Sequence, residues 1–214
     1  YVYRLKDGAR ASLGQGRMTA ASLIKLYIMG AVYSSYDDIT ASNGQEEVDK
    51  LLNAMITVSD NDSANTLVGM LGNGNDAAGQ EAVNTYCKNN GYTDTSMGRM
   101  LLEKASANEN YTSARDCSVF LKNIYENKLE HSEDMLNLLK QQTRTEKIPK
   151  GVPAGVETAN KTGELDHVEN DAAIVFDGEN PYIICVMADN LSDTTEARQR
   201  IVDISSVVYE NISK

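Results

Sequence analysis

Basic residues are in short supply in this chain of 214 residues. Lys and Arg number 20 against 31 Asp and Glu, which gives a formal net charge of -11. Such an excess of negative charge repels phosphate backbones and anionic membrane surfaces. We therefore expect no nucleic acid partner. The length is sufficient for one domain with its own core.

Long apolar runs are also missing from the sequence. The longest candidates, residues 172–176 and 182–188, have the length of a β-strand. A helix that crosses a bilayer needs about 20 apolar residues, so no transmembrane segment is expected in this chain. The chain begins at Tyr1 and has no basic and apolar leader, so we expect any targeting segment to have been removed or left out.

Cysteine and histidine are too few and too scattered for several kinds of site. The three cysteines show no metal-binding spacing such as Cys-x-x-Cys, which argues against a disulfide framework and a zinc site. We expect Cys87, Cys117 and Cys185 to be small buried hydrophobic residues. With two histidines and no Gly-x-Ser-x-Gly sequence, no Ser-His-Asp triad can be assembled.

Hydrophobic periodicity and turn residues predict strand-rich ends and a helical middle. Residues 2–13 are predicted to form a hairpin around Asp7 and Gly8, and residues 20–33 a helix with an apolar stripe that starts next to Ser22. Further helices are predicted at 45–58, 62–71, 76–89, 112–127, 132–142 and 194–211, and strands at 156–162, 170–176 and 181–188.

This order of elements indicates an α+β fold, an α/β sandwich. Its antiparallel sheet would consist of the N-terminal hairpin and three C-terminal strands, flanked by helices, with a helical lobe inserted between. Residues 1–214 would form a single domain. Within it, residues 1–30 and 150–214 would be the sheet-containing part, and residues of about 31–149 the helical lobe.

Three short motifs occur in a fixed order along the chain. Ser22 and Lys25 form a Ser-x-x-Lys motif, residues 59–61 read Ser-Asp-Asn, and residues 161–163 read Lys-Thr-Gly. Singly these motifs are common, and Ser-x-x-Lys is expected about once by chance in a chain of this size. The ordered set is far rarer, and together it supplies a nucleophile, bases and an anion clamp.

The spacing of Ser22 and Lys25 suits nucleophilic catalysis. A serine hydroxyl is a weak nucleophile near neutral pH and needs a base within hydrogen-bond reach. Residues i and i+3 share one face of a helix, so the Lys25 amine can fold back beside the Ser22 hydroxyl. Burial and a second cation such as Lys161 would lower the pKa of this base. An isolated match would instead be a helix cap followed by a solvated lysine.

The ordered motifs resemble the signature of the serine β-lactamases and penicillin-binding proteins, and within that group the class A β-lactamases. The resemblance runs from the first hairpin to the last helix, and the sequence segments that support it are residues 18–26, 58–65 and 148–163. It implies a hydrolase that forms an acyl-enzyme on Ser22, with small-molecule substrates, β-lactams or D-Ala-D-Ala-like peptides, and with no cofactor or metal.

The resemblance also assigns roles to the matching residues. Ser59 would relay a proton to the leaving nitrogen, Asn61 would bind the substrate's side-chain amide, and Asp60 would be structural. Lys161 and Thr162 would hold the substrate carboxylate, and the backbone N–H groups of Ser22 and Glu164 would form the oxyanion hole. The implied catalytic residues are Ser22, Lys25, Ser59 and Lys161, and the implied substrate-binding residues are Asn61, Thr162, Gly163 and Glu164.

Several features depart from the class A pattern. The stretch between Lys25 and Ser59 is shorter and the family's N-terminal helix is absent, so a more open site is expected. The Ω-loop motif Glu-x-x-Leu-Asn, whose Glu activates the deacylating water, is missing from residues 98–113. Arg99 would begin a shortened loop. Glu103 is the candidate deacylation base although it is out of register; a solvated surface glutamate is the alternative interpretation.

These departures leave three functions open beside a domain with coincidental motifs. The first is a β-lactam hydrolase with weak deacylation. The second is a D-Ala-D-Ala peptidase, which needs no class A glutamate, and the third is a penicillin-binding sensor that acylates without turnover. All of these substrates lie outside the cytoplasm, so the resemblance implies an extracytoplasmic bacterial protein, secreted or anchored by a segment not present here. We expect a monomer.

Overall fold

Eight helices and two β-sheets make up the computed structural model, which describes residues 1–14, 16–104 and 108–213. No helix in these ranges is long and apolar enough to cross a membrane. The strands are β1 (Val2–Arg4), β2 (Arg10–Ala11), β3 (Met18–Thr19), β4 (Tyr111–Thr112), β5 (Glu157–Leu165), β6 (Val168–Phe176) and β7 (Tyr182–Ala188). The helices are α1 (Ile24–Tyr33), α2 (Tyr36–Asn43), α3 (Gln45–Thr57), α4 (Asn61–Leu71), α5 (Asp76–Asn89), α6 (Ala114–Tyr125), α7 (Ser132–Lys140) and α8 (Thr194–Ile212).

The main sheet has five antiparallel strands in the order β2-β1-β7-β6-β5. The first hairpin thus joins the three C-terminal strands, which confirms the predicted α+β fold. In this order β5 is an edge strand, and it pairs with β6 from Glu157 opposite Phe176 to Leu165 opposite Val168. One edge of the strand that carries the Lys-Thr-Gly motif therefore faces away from the sheet.

Both faces of the sheet are buried: successive side chains of a strand point to opposite faces, and those of β6 are buried on each. On one face, Ala173 and Val175 of β6 join a core cluster with Ile201 of α8. On the other face, Ala172 and Ile174 belong to the main core, which includes α1 and α6. Helices α6 and α7 contact the sheet directly, although they belong to the segment of about 31–149 predicted as the helical lobe. The helices flanking the sheet were predicted, and the structure confirms them.

Helix α1 differs from its sequence prediction. The expectation was one apolar stripe, but all ten of its residues are buried. This helix lies in the main core and contacts α2, α3, α4 and α5. A helix that is surrounded by protein needs no polar face, and even Lys25 is fully enclosed on it.

Other differences concern short or polar elements. Helix α2 and the small sheet of β3 and β4 were not predicted. Strand β5 continues past the predicted end at residue 162, because the turn to β6 takes only Asp166 and His167 and pairing persists to Leu165. The helix predicted from residue 112 begins at Ala114, since the Ser113 hydroxyl caps it by accepting from Asp116 N at 3.1 Å.

The cysteines are buried, unpaired thiols, as predicted. Cys87, Cys117 and Cys185 are free, and each is at most 1% exposed. Burial raises the pKa of all three thiols, that of Cys87 to about 12 and that of Cys117 to about 11. These values keep them protonated and suit a packing role.

Candidate active site

Ser22 lies in a 3-10 turn, Ala21–Leu23, that leads into α1. Ala21 has a left-handed backbone conformation with φ of 47°, which is uncommon for a residue with a Cβ atom. Asn170 of β6 fixes the approach to this turn, since its Nδ2 donates to Thr19 O at 2.9 Å and Ala20 O at 3.2 Å. The position of Ser22 is thus tied to the sheet.

Lys25 is fully buried one turn after Ser22, with four oxygen atoms around its amine. Lys25 Nζ lies 3.3 Å from Ser22 Oγ and 3.2 Å from Ser59 Oγ. It also donates to two shorter partners, Ser59 O at 2.7 Å and Asn61 Oδ1 at 2.6 Å. The first two motifs therefore meet at this amine.

Ser59 lies between α3 and α4 with its backbone in the left-handed region at φ 63°. The next residue, Asp60, caps α4 by accepting from Ser63 N at 2.7 Å. The Ser59 hydroxyl lies between two amines, 3.2 Å from Lys25 Nζ and 2.9 Å from Lys161 Nζ. This arrangement links the first and third motifs through one serine.

Lys161 and Gly163 bring β5 against the Ser22 turn. Lys161 is fully buried, and its amine donates to Ser59 Oγ and to Thr162 O at 3.0 Å. A Cβ atom at Gly163 would lie 2.8 Å from Ala20 O and 3.2 Å from Ser22 N. Any larger residue would push the strand off the turn, so glycine permits the close approach.

The electrostatics of the site favour neutral amines. The pKa of Lys25 is lowered to about 7, mainly by burial; the Asp60 carboxylate opposes this shift and the Arg144 cation adds to it. Burial also lowers the pKa of Lys161 well below its ordinary value, and the cations Lys25 and Arg144 act in the same direction. Burial lowers the pKa of Lys25 as predicted, but the cation that adds to this shift is Arg144 and not the predicted Lys161.

Comparison with known proteins identifies the family. Residues 39–212 match the profile of a family described as the β-lactamase enzyme family. The chain belongs to this β-lactamase family. That result confirms the expected β-lactamase-like serine hydrolase at the level of family. No curated protein matches the chain.

Solved structures agree on the fold of this β-lactamase family member. The TLA-1 extended-spectrum β-lactamase matches with a TM-score of 0.87 and 18% identity, over 100% of this chain and 91% of that one. The β-lactamase from Sphaerobacter thermophilus DSM 20745 gives 0.82 and 23%, over 99% and 89%. A mutant of PBP-A, in an acyl-enzyme complex with penicillin G, gives 0.84 and 22%, over 99% and 88%.

In this β-lactamase family member the three motifs border one small cavity of about 150 Å³. It is lined by Ser22, Ser59, Asn61, Arg144, Thr162 and Glu164. Sequence reasoning missed Arg144, which follows α7 in an irregular segment and belongs to none of the motifs. Arg144 NH1 forms an ion pair with Glu164 Oε2 at 3.2 Å.

The structure does not bring Glu103 to this cavity. Its carboxylate accepts from Met100 N at 3.1 Å, and it lines a separate cavity of about 770 Å³. The predicted loop start at Arg99 pairs with Glu109, with a distance of 2.8 Å from Nε to Oε1. Residues 105–107 of the predicted Ω-loop lie outside the described residues.

Proposed function

We propose that this protein is an extracytoplasmic serine hydrolase that opens β-lactams through an acyl-enzyme on Ser22. The observation that carries the proposal is the environment of the Lys25 amine, which is buried between Ser22, Ser59 and Asn61. A lysine whose pKa lies near 7 is half neutral at physiological pH and is available as a base. Family membership supports the reaction class.

The hydrogen-bond inventory of Lys25 supports its role as the base for Ser22. A neutral amine has two N–H donors and one lone pair. Ser59 O and Asn61 Oδ1 can only accept hydrogen bonds. They lie 2.7 and 2.6 Å from Lys25 Nζ and therefore engage its two N–H donors. The lone pair is left to accept the proton of Ser22 Oγ, 3.3 Å away.

The proposed acylation transfers a net of one proton from Ser22 to the leaving nitrogen, by way of Lys25 and Ser59. Neutral Lys25 takes the hydroxyl proton of Ser22 as Oγ attacks the lactam carbonyl carbon and forms the C–O bond. The ring C–N bond then breaks, and Ser59 gives its hydroxyl proton to the leaving nitrogen. Lys25, 3.2 Å from Ser59 Oγ, returns the proton to Ser59 and is neutral again.

Recognition of the substrate would use the cavity wall opposite Ser22. The Thr162 hydroxyl and the Arg144 guanidinium suit the carboxylate that β-lactams and D-Ala-D-Ala peptides carry, and Lys161 adds a donor behind them. The backbone N–H groups of Ser22 and Glu164 would bind the developing oxyanion. Because Gly163 approaches Ser22 N closely, these two groups lie on neighbouring backbone segments.

Deacylation is the weak step in this proposal. Among the residues that line the cavity in the described part of the chain, Glu164 is the one carboxylate. Both of its oxygens are engaged, Oε2 by Arg144 and Oε1 by Lys147 at 3.1 Å. A carboxylate held in this way is a poor base for water. The same observation favours the second candidate, a D-Ala-D-Ala peptidase or penicillin-binding sensor.

Intact-mass spectrometry with a penicillin tests the proposal. We expect a one-to-one adduct that forms within the mixing time and decays over many minutes, while the lactam absorbance falls slowly beyond one equivalent. An adduct that never decays would transfer the assignment to the peptidase or sensor. A folded protein that forms no adduct would contradict the proposal.

The rate of acylation is expected to rise with pH and then level off. The pKa of Lys25 is about 7, so at lower pH its amine is mostly protonated and has no lone pair to accept the proton of Ser22. From pH 5 to pH 7 the neutral fraction, and with it the rate of adduct formation, rises about 50-fold. Stopped-flow labelling across pH 5 to 9 measures this profile, with circular dichroism at each pH as the control. A flat profile between pH 5 and 8 would contradict the role of Lys25.

A further inference from the structure

A buried charge network lies behind the cavity and is not used by the proposed chemistry. Its centre is Lys147, which precedes the 3-10 turn Ile148–Gly151 and whose side chain is 2% exposed. Lys147 Nζ lies 2.6 Å from Glu169 Oε2 and 3.1 Å from Glu164 Oε1, and it donates to Asn170 O at 2.9 Å. Two carboxylates thus share one buried cation.

The network extends from α8 to the cavity. At one end, Arg198 of α8, whose side chain is 43% exposed, lies 2.6 Å from Glu169 Oε1. At the other end, Glu164 reaches Arg144 at the cavity, where the side chains of Glu164 and Arg144 are 31% and 49% exposed. Lys147 therefore stands between a buried carboxylate and the one carboxylate among the cavity-lining residues that the structure describes.

Stability alone does not account for this buried charge. Removing Lys147 and Glu169 from water carries a large desolvation cost, and apolar residues of similar volume often stabilise a protein as well. The charge on Lys147 has a second consequence, because it engages Glu164 Oε1. Glu164 consequently meets Arg144 through Oε2 alone, on NH1.

The single contact matters for ligand binding. A guanidinium carries five N–H donors and pairs with a free carboxylate in a bidentate fork. Without Lys147, both oxygens of Glu164 would be free to form that fork with Arg144. A substrate carboxylate would then compete with a carboxylate that belongs to the protein itself.

We propose that Lys147 is a positioning residue for substrate recognition. It holds Glu164 in a one-oxygen contact and thereby keeps the Arg144 guanidinium available to a substrate carboxylate. The inference rests on the proposed function, and it makes the preference for carboxylate-bearing lactams depend on a side chain that touches no substrate.

The test compares a penicillin with its carboxylate methyl ester in the variant Lys147→Met. We expect the concentration that gives half-maximal acylation to rise about tenfold for the penicillin and to stay unchanged for the ester, at the same limiting rate. Adding Glu164→Gln should restore the wild-type value, since a neutral amide competes weakly for Arg144. Lys150→Met is the matched control, because Lys150 is exposed and pairs with Glu146 at 3.0 Å.

The outcomes separate this inference from the proposed function. An equal loss with both compounds, or no rescue by Glu164→Gln, would mean that Lys147 is merely structural. An unchanged Lys147→Met would also overturn the inference. A wild-type protein that neither compound acylates would instead contradict the proposed function. Lys147→Gln, which keeps a donor for Asn170 O without the charge, is the second variant if Lys147→Met does not fold.

Discussion

Replacing Ser22 with alanine is expected to abolish covalent labelling by a penicillin and to leave the fold intact. The labelling rate should fall by at least about 1,000-fold, because no other group in the proposed chemistry supplies an attacking oxygen. The described contact of the hydroxyl is the 3.3 Å approach of Lys25 Nζ, which contributes little to stability. Intact-mass spectrometry measures the labelling, and thermal unfolding measures the stability.

Ser34→Ala is the matched control for this prediction. Ser34 follows the last residue of α1, about 15 Å from the start of that helix, and its hydroxyl donates to Ala31 O at 2.8 Å. The Ser34→Ala variant should be labelled by a penicillin at the wild-type rate. Peptide mapping that found the adduct of Ser22→Ala on another residue would remove Ser22 from the proposed role.

The local signals in the sequence were sufficient for most of the fold. Strands β6 and β7 are apolar runs of strand length bounded by turn residues, and α8 has a clear cap, since Asp193 accepts from Thr195 N and Glu196 N. Helix α2 escaped prediction because Ile39 is its one buried residue and leaves no apolar stripe. Strands β3 and β4 have two residues each, too few for a periodic pattern.

The candidate site shows the same division between local and tertiary information. Ser22 and Lys25 are predictable as neighbours, because three residues along a helix separate them. Arg144 reaches the cavity through tertiary contacts, since Thr143 N donates to Thr57 O at 2.9 Å and so attaches this segment beside Ser59. No local feature of the sequence around Arg144 indicates the contact between Thr143 and Thr57.

Tertiary contacts also determine the backbone path of the segment in which the deacylation base Glu103 is predicted. Asn65 of α4 bonds the backbone of Leu101 on both sides, with Nδ2 donating to Leu101 O at 2.9 Å and Oδ1 accepting from Leu101 N at 2.8 Å. These bonds fix the path of the chain, and Glu103 then lies against Met100 N. The sequence around Glu103 does not indicate this geometry, because it depends on Asn65 of a distant helix.

The second large effect is expected at Lys25, where methionine should slow acylation by about 100- to 10,000-fold. Methionine fills a similar volume but offers no lone pair to Ser22. It also leaves Ser59 O and Asn61 Oδ1 without their donor, so the free energy of unfolding must be measured alongside the rate. Lys122→Met on α6, which loses the surface contact with Glu126, serves as the control and should acylate normally.

Lys25→Arg separates a base from a positive charge. A guanidinium stays protonated at every pH at which the protein folds, so it can preserve the charge beside Ser59 but cannot accept the proton of Ser22. If Lys25 is the base, this variant should be as slow as Lys25→Met, and the pH dependence near 7 should vanish from the residual rate. If the charge alone mattered, Lys25→Arg would acylate at a rate close to wild type. That result would leave Ser22 without a base among the groups described around it.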